Sequence, residues 1–316
     1  MIRRTQFDSL LRLAGPGLDI RLDADLTPQT SMRMHTRAAV HAHATSPNGL
    51  MRLMRESRRL DSPAFLLGGG CNTLFATSRF DGIVFSLGGD FNRLEYAGGN
   101  IVRAGAGVKL GRIVTFAREC GLMGLEFLTM VPGTVGGALA GNAGAGNWGL
   151  CDFVENVILT TRDGFLANVR RNQFRYGYRY SDLREAILLE AEFRLEPLDE
   201  TERRRRVEEY RAKKTNQPFN EPSSGCIFKN PKDPETGQTI SAGKLIDECG
   251  LKGYTIRSAR ISERHANFIV NNGDSCGEDF LALINLVRDI VHQKTGIELE
   301  LEVQIVGGPM SSAILT

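Results

Sequence analysis

The chain has 316 residues, of which 41% are hydrophobic and 24% charged, and its formal net charge at pH 7 is +2. These values are typical of a soluble globular protein of two or three domains, and so small a charge gives no reason to expect nucleic acid or an anionic membrane as partner. No apolar run reaches the roughly 18–20 residues that cross a bilayer, and no apolar signal stretch follows Arg3 and Arg4. We therefore expect a cytoplasmic protein without membrane insertion.

The cysteines and histidines do not form a metal-binding pattern. The six cysteines are widely spaced and include no Cys-x-x-Cys pair, which argues against zinc and against a disulfide framework. His41 and His43 stand two residues apart in a predicted strand and so share one face, but the sequence offers no third ligand nearby. We expect no bound metal, and the free cysteines fit a reducing cytoplasm.

Short strands and helices alternate along the first two thirds of the chain. We predict strands at 65–67, 83–87, 101–104 and 187–195. The apolar residues of Leu110–Ala117 recur at helical spacing, and Gly121 is a natural end for this helix. Such mixed signals predict a fold with both helices and sheets.

A polar helix is predicted at 199–214. Asp199 and Glu202 form an N-terminal cap pattern, and opposite charges recur at helical spacing behind them. We therefore interpret the arginine run 203–206 as a solvated face and not as a nucleic-acid patch. The helix and the segment 216–218 after it are the best candidate for a domain junction.

The last predicted helix has the clearest pattern in the chain. Ser275-x-x-Glu278 has the spacing of a capping box, and Gly296 is placed to end the helix. Between them lies an apolar stripe at helical spacing, formed by Phe280, Leu283, Ile284, Val287 and Ile290. A closing strand at about 299–306 alternates apolar and polar residues.

Three glycine-rich segments, at 68–73, 105–107 and 132–145, indicate close backbone approach to a ligand. Loops without Cβ atoms let successive backbone N–H groups point at phosphate oxygens. A Rossmann fingerprint is not met, because Gly105-x-Gly107-x-x-x-Gly111 misses the required spacing by one residue. We interpret the segments as phosphate-binding loops of another architecture; tight turns in a glycine-rich β domain are the alternative.

The segment 222–231, Pro-Ser-Ser-Gly-Cys-Ile-Phe-Lys-Asn-Pro, delivers one protonatable side chain after a turn of small residues. The thiol of Cys226 can donate a proton, since a free thiol with a pKa of roughly 8.5 is mostly protonated at neutral pH. Lys229 and Asn230 offer a cation and an amide to an anionic, polyhydroxylated ligand. The alternative is a surface turn with a buried cysteine.

Taken together, the segments resemble the UDP-N-acetylenolpyruvoylglucosamine reductase family over about residues 30 to 307. The matching motifs occur in the family's order: 67–72 (LGGGCN), 124–137 (GLEFL and VPGTVGG), 142–145 (NAGA), 178–181 (YRYS), 224–231 (SGCIFKNP), 243–253 (GKLIDECGLKG), 265–271 (HANFIVN) and 299–303 (LELEV). The order of the motifs makes the resemblance specific, although no single motif would be decisive.

The resemblance implies an α+β fold with a two-part FAD-binding domain, of the type shared with vanillyl-alcohol-oxidase-like flavoenzymes, and a C-terminal α+β substrate domain. On this reading, residues 1–90 form the first FAD-binding subdomain, completed by 303–316. Residues 91–212 form the second subdomain, and residues 213–302 form the substrate-binding domain.

The implied chemistry is a hydride relay from NADPH through non-covalently bound FAD to the enolpyruvyl double bond of the UDP-sugar substrate. Arg179 matches the family's arginine, which holds the substrate carboxylate and stabilises the enolate. Glu302 matches the family's glutamate and is expected to have a raised pKa. Cys226 stands where many members carry the serine that protonates the carbanion, and a thiol preserves proton donation.

The resemblance also implies the residues that bind each ligand. The cofactor-binding candidates are Gly68, Gly69, Gly70, Cys71, Asn72, Thr73, Pro132, Gly133, Thr134, Val135, Gly136, Gly137, Asn142, Ala143 and Gly144. The substrate-binding candidates are Asn230, Lys252 and His265, which align with contacts to the UDP moiety, and Lys214 and Lys229, for which a solvated lysine is the alternative.

The chain also departs from the family pattern. Many members carry Gly-Gly pairs where this chain has His35-Thr36 and Arg257-Ser258, which puts local contacts at both places in doubt. The span from Arg179 to Cys226 is short and lacks the tyrosine-bearing loop that some members fold over the substrate. Another FAD-dependent oxidoreductase of the same fold, or a flavin-binding relative without turnover, are the alternatives.

Overall fold

The computed structural model describes residues 4–161 and 164–308. Its helices are α1 (Arg4–Leu11), α2 (Pro47–Arg59), α3 (Leu110–Glu119), α4 (Val135–Ala140), α5 (Glu200–Ala212), α6 (Ala242–Glu248) and α7 (Gly277–Thr295). Its strands are β1 (Leu18–Asp25), β2 (Arg37–Ala44), β3 (Ala64–Leu66), β4 (Thr73–Phe75), β5 (Arg79–Leu87), β6 (Leu94–Gly98), β7 (Ile101–Gly105), β8 (Leu122–Met123), β9 (Gly144–Ala145), β10 (Trp148–Gly149), β11 (Val154–Thr160), β12 (Leu166–Arg170), β13 (Tyr176–Gly177), β14 (Tyr180–Ser181), β15 (Ile187–Arg194), β16 (Glu196–Pro197), β17 (Ser223–Cys226), β18 (Thr255–Ile256), β19 (Ala259–Ile261), β20 (Phe268–Asn271) and β21 (Gln304–Val306). The arrangement confirms the predicted α+β fold class.

The first sheet has the order β1-β2-β5-β3, with β1 antiparallel and β3 and β5 parallel to their neighbours. Helix α2 covers one face through Leu50 and Leu53, which are buried against Val40 and Phe85. The opposite face carries His41 and His43, which share it as predicted. β3 leads straight into the first glycine loop, so this sheet positions residues 68–73.

The second sheet has the order β12-β11-β15-β7-β6 and is antiparallel throughout. Its two predicted strands are present as β7 and β15, which lie side by side. Helix α3, also predicted, buries Leu110, Ile113 and Ala117 in the same core. The glycine-rich segment 132–145 crosses this unit as helix α4 with its flanking loops.

Helix α5 connects the second sheet to the third and has the predicted cap. The Asp199 carboxylate accepts a hydrogen bond from the Glu202 N–H at 3.0 Å. None of the residues of α5, all of which are described, is buried. Its arginines pair with acids of the same helix, as Arg205 does with Glu202 at 2.8 Å. Arg204 and Arg205 are exposed, as a solvated face requires, whereas the Arg203 side chain is only 16% exposed.

The third sheet, of order β17-β20-β19-β18, packs against α7 through the predicted apolar stripe, of which Ile290 is only partly buried. The predicted capping box at Ser275 and Glu278 is wrong by one residue. The helix starts at Gly277, and the Asp279 carboxylate accepts from the Cys276 N–H at 3.2 Å. The reason is orientation, because Asp279 is buried against the start of the helix whereas Glu278 is exposed to solvent. Gly296 ends the helix at φ 71°, as predicted.

The closing strand is shorter than the predicted 299–306. Only β21 joins a sheet, where it runs parallel to β4, so that Gln304 pairs with Thr73. The residues before it lie instead beside the segment after β17, with the Glu302 N–H donating to the Ile227 carbonyl at 2.8 Å. This detour brings Glu302 between the Cys226 segment and the first glycine loop.

The domain boundaries drawn from the sequence stay a prediction. Residues 1–3 and 309–316 of the first predicted subdomain lie outside the described residues, and so do residues 162–163 of the second.

Candidate functional site

A single large cavity of about 1650 Å³ brings together segments that are far apart in the sequence. Its walls include the glycine loops 68–73 and 132–137, strand β17, the residues around Glu302, and Arg179. A volume of this size exceeds the roughly 300–1,000 Å³ of common small-molecule pockets, so two ligands can share it.

The loop Gly68–Thr73, whose residues are predicted to bind the cofactor, lies entirely in the cavity wall. Within the described part of the chain, the N–H groups of residues 68–72 donate to no protein acceptor. Gly70 has φ 63°, and a Cβ on Gly69 would lie 2.7 Å from the Gly133 Cα, so the two glycine loops touch through their backbones. The loop therefore presents a row of free main-chain donors, which suits the oxygens of a pyrophosphate.

The second glycine loop leaves fewer main-chain N–H groups free than the first. Among the described residues, the N–H groups of Gly133 and Thr134 have no protein acceptor, whereas those of Val135 and Gly136 donate to Val108 and Ala106. Pro132, Gly133, Thr134, Gly136, Gly137, Ala143 and Gly144 line the cavity.

Val135 and Asn142, two predicted cofactor contacts, are placed outside the cavity wall. Val135 is buried in the core of the second sheet. The Asn142 side chain donates to the Gly177 carbonyl at 2.8 Å and accepts from the Cys151 N–H at 3.0 Å. Asn142 thus ties the glycine segment to the β13–β14 hairpin. The N–H of Ala143 is also used, since it donates to the Ala138 carbonyl.

Arg179 occupies the turn between β13 and β14 in a strained conformation. Its φ of 54° lies in the left-handed region, which costs a residue other than glycine about 1–3 kcal/mol. One guanidinium N–H (Nη1) donates to the Gly144 carbonyl at 3.1 Å. The hairpin thereby directs Arg179 into the cavity beside the second glycine segment.

Glu302 is the ionic partner of Arg179. Arg179 Nε lies 2.5 Å from Glu302 Oε1, in a contact that is close but poorly aligned as a hydrogen bond. Burial raises the pKa of Glu302, and Arg179 opposes this rise only in part. The direction agrees with the raised pKa expected from the sequence.

Cys226 ends strand β17 at the same wall. Burial, assisted by the charge of Glu302, raises the pKa of its thiol to about 12. The thiol is therefore protonated at neutral pH, as a proton donor must be.

Two of the predicted substrate contacts, Lys214 and Lys229, line the cavity. Lys214 is buried and donates to the Phe127 and Thr129 carbonyls. Burial, and secondly the charge of Arg179, lowers the pKa of Lys214 to about 8. Lys229 pairs with Glu300 at 3.2 Å. Both cations can thus attract an anionic ligand into the cavity.

The other three predicted substrate contacts lie outside the cavity wall. The Asn230 side-chain oxygen accepts from the Ala242 N–H at 3.0 Å, and Lys252 pairs with Asp247 at 2.6 Å. His265 accepts from the Asn267 N–H through Nδ1 at 3.3 Å. Burial lowers the pKa of His265, and the charge of Lys252 contributes, so these two side chains are neighbours.

Sequence reasoning assigned no role to Tyr178 and missed a second contact of Asn72. The Tyr178 hydroxyl accepts from the Asn230 N–H at 3.2 Å. The Asn72 side chain donates to the Glu302 carbonyl at 2.9 Å, which fixes the catalytic candidate to the glycine loop. Only the position of Tyr178 next to Arg179 could have signalled the first contact, and nothing local signals the second.

The described residues do not form a metal-binding site. No group of three histidine, cysteine or acidic side chains within them could hold a metal. His43 and His41 instead contact one hydroxyl, that of Ser86, at 2.8 and 3.4 Å. Over the same residues, no helix is both long and apolar enough to cross a membrane.

The chain matches two protein families along most of its length. Residues 38–170 match the family described as FAD binding domain, and residues 217–306 match UDP-N-acetylenolpyruvoylglucosamine reductase, C-terminal domain. These segments hold the second glycine loop and Cys226 respectively.

Proteins named UDP-N-acetylenolpyruvoylglucosamine reductase are similar to this chain over nearly their whole length. The UDP-N-acetylenolpyruvoylglucosamine reductase of Geobacter metallireducens is 38% identical over 92% of this chain and 94% of its own. That of Pelobacter propionicus is 38% identical over 92% and 98%. A solved structure of the Thermus caldophilus UDP-N-acetylenolpyruvylglucosamine reductase covers 91% of this chain and 98% of its own, with a TM-score of 0.76 and 32% identity. The chain belongs to the UDP-N-acetylenolpyruvoylglucosamine reductase family.

Proposed function

We propose that this protein reduces UDP-N-acetyl-3-O-(1-carboxyvinyl)glucosamine to UDP-N-acetylmuramate in peptidoglycan precursor synthesis, with FAD as cofactor and NADPH as hydride donor. The observation that supports it most is the meeting of Arg179, Glu302 and Cys226 at one cavity whose other wall is formed by the glycine loops. A cation, a buried carboxyl group and a protonated thiol are the groups needed to reduce an enolpyruvyl ether.

The chain offers FAD a non-covalent site. The free N–H groups of residues 68–72, with those of Gly133 and Thr134, would hold the pyrophosphate. When bound, FAD accepts a hydride from NADPH and delivers it to the enolpyruvyl double bond. No histidine stands in either loop to form a covalent link.

Arg179 manages the negative charge of the reaction. Its guanidinium binds the substrate carboxylate and stabilises the enolate that forms when the double bond gains a hydride. Glu302 holds this guanidinium from the other side. Burial raises the pKa of Glu302, whereas the charge of Arg179 lowers it, so the two groups control each other's charge at the place where the enolate forms.

Cys226 completes the reduction by donating its thiol proton to the carbanion carbon next to the carboxylate. The double bond has then gained one hydride and one proton, and the thiolate recovers a proton from solvent. A thiol of pKa about 12 remains a much stronger acid than the C–H bond it forms, so the transfer is favourable. The thiol thus takes the place of the serine found in many members of the family.

The finer features of this proposal rest on the sequence. The chain represents a shorter subtype without the tyrosine-bearing loop, works in the cytoplasm, and divides near residues 90 and 212 into two FAD-binding subdomains and a substrate domain. Lys214 and Lys229 bind the anionic substrate from the cavity wall. Asn230, Lys252 and His265 bind the UDP moiety from outside that wall, at the substrate-domain side.

A turnover assay tests the function. Purified, FAD-loaded protein is mixed with NADPH and the enolpyruvyl UDP-sugar, and UDP-N-acetylmuramate is measured by mass spectrometry. We expect stoichiometric product and oxidation of NADPH. NADPH oxidation without this product would favour another flavin oxidoreductase of the same fold, and a flavin that NADPH does not bleach would favour a relative without turnover.

A further inference from the structure

The Tyr178 side chain joins the turn carrying Arg179 to the segment that follows Cys226. It precedes Arg179 in the turn between β13 and β14, where Gly177 pairs with Tyr180. Its hydroxyl accepts a hydrogen bond from the Asn230 main-chain N–H at 3.2 Å. The hairpin and the substrate-domain segment are thereby held together at a point beside the catalytic candidates.

The ring of Tyr178 also contacts the arginine itself. The Arg179 guanidinium carbon lies 5.4 Å from the centre of the Tyr178 ring, within the range of a cation–π interaction. A guanidinium between this ring, the Glu302 carboxyl group and the Gly144 carbonyl is fixed from three directions. Such a fixed guanidinium needs little rearrangement when a carboxylate arrives.

The surroundings of the Tyr178 hydroxyl link it to the same site. Burial raises its pKa and the hydrogen bond from Asn230 lowers it, with smaller effects from Glu302 and Cys226, which raise it, and from Arg179, which lowers it. All three catalytic candidates therefore lie within electrostatic range of this one hydroxyl. Tyr178 also lines a second groove of about 520 Å³, shared with Lys229 and Asn230, which adjoins the main cavity.

We propose that Tyr178 is a positioning residue, which holds Arg179 at the substrate carboxylate by clamping its hairpin to the Asn230 main chain. The proposal rests on the proposed function and adds a role for a residue that touches neither flavin-binding loop. Tyr178 acts through Arg179 and not on the substrate itself.

The hairpin offers a matched control. Tyr180 lies in the same turn region, but its hydroxyl contacts the Asp182 carboxylate and it lines neither the cavity nor the groove. Tyr180→Phe should therefore change nothing in the reaction. Tyr178→Phe removes the hydroxyl and keeps the ring, whereas Tyr178→Leu removes both contacts.

The test follows the two half-reactions of FAD-loaded protein by stopped-flow absorbance. Flavin reduction by NADPH should stay within about twofold of wild type in every Tyr178 variant. Reoxidation by saturating substrate should slow about three- to tenfold in Tyr178→Phe and about ten- to a hundredfold in Tyr178→Leu, the losses of one hydrogen bond and of a hydrogen bond plus a cation–π contact. Flavin content and thermal midpoint report whether each variant folds.

A double-mutant cycle decides whether Tyr178 acts through Arg179. In an Arg179→Ala background, Tyr178→Phe and Tyr178→Leu should cause no further loss. Equal losses with and without Arg179, equal slowing of both half-reactions, or no slowing in the Leu variant would each overturn the proposal. If the Leu variant does not fold, the Phe variant decides the question. Absence of turnover in wild-type protein would instead count against the function itself.

Discussion

Arg179 and Glu302 form an ion pair at 2.5 Å although they come from a β-hairpin and from the segment just before the last described strand. The pair joins the side of the cavity built by the second glycine segment to the side built by Cys226. The strained φ of Arg179 is tolerated because this contact and the Gly144 carbonyl hold the guanidinium in place.

Removing the Arg179 guanidinium should separate the two half-reactions. Arg179→Gly deletes the charge and puts at φ 54° the residue that adopts this conformation without steric cost. We expect flavin reduction by NADPH to be nearly unchanged and reoxidation by substrate to slow about 10²–10³-fold. Rapid-mixing absorbance measures both rates. Arg175→Ala, an exposed arginine of the same region, is the control, and equal slowing of both half-reactions would contradict the assigned role.

Substitution of Cys226 should affect only proton delivery. Cys226→Ser retains a protic group in nearly the same place and should keep substantial turnover. Cys226→Ala should bind FAD and accept hydride from NADPH, but substrate reduction should fall about 10²–10⁴-fold. Steady-state turnover and flavin content are the measurements. Cys276→Ala, which removes a thiol outside the cavity wall, is the control, and wild-type turnover in Cys226→Ala would make Cys226 a packing residue.

The glycine loops should hold FAD without a covalent bond. Denaturing the pure protein should release all flavin into the supernatant, because neither glycine loop contains a histidine that could form a covalent link. Gly69→Ala should lower flavin content, since the new Cβ would lie 2.7 Å from the Gly133 Cα. Gly111→Ala meets nothing within 4 Å and serves as the control. Flavin that stays with the precipitated chain, or full loading of Gly69→Ala, would contradict this account.

Lys214 should make substrate affinity depend on pH. Its folded-state pKa of about 8 lies below the usual lysine value of 10.5, so the lysine is charged below pH 8 and neutral above it. Affinity for the anionic substrate should therefore fall as the pH rises through 8. Lys213→Gln, which alters an exposed neighbour, is the control and should show the same fall. Lys214→Met should flatten the profile. Titration of the flavin spectrum with substrate measures the affinity, and an unchanged profile in Lys214→Met would exclude this lysine.

The lowered pKa of Lys214 should also make the free energy of unfolding depend on pH. Because the unfolded chain binds the Lys214 proton more tightly than the folded chain, the free energy of unfolding should rise between pH 8 and about 10.5 as this penalty is relieved. The rise should be absent in Lys214→Met. Urea unfolding at several pH values tests this, and a parallel rise in both proteins would assign it to other groups.

The sequence predicted elements with strong periodicity and missed features that depend on distant packing. Helix α7 was predicted from its stripe, but the acid that caps it is the buried Asp279 and not the exposed Glu278, which spacing alone does not distinguish. The closing strand was predicted too long because residues 299–303 alternate like a strand while contacting the chain after β17. Alternation cannot reveal the partner.

The residues of the candidate site were predicted from the resemblance, but the contacts that bring them together could not be predicted. Catalytic candidates were named one by one, yet nothing in the sequence shows that Asn72 binds the Glu302 main chain or that Tyr178 reaches Asn230. Conversely, Asn142 lies in a motif that predicts a cofactor contact, but its side chain forms hydrogen bonds with Gly177 and Cys151. A motif shows which residues recur, but it does not show which neighbours form hydrogen bonds with them.

The parallel pairing of β21 with β4 has a consequence for biosynthesis. Strand β4 and the glycine loop before it emerge from the ribosome early, whereas Glu302 and β21 emerge more than two hundred residues later. At roughly 5–20 residues per second, the first glycine loop waits at least ten seconds for the strand that anchors it. A nascent chain stalled before β21 would carry a sheet edge at β4 without its partner, and the pairing of β21 with β4 could form only after Val306 has left the ribosome.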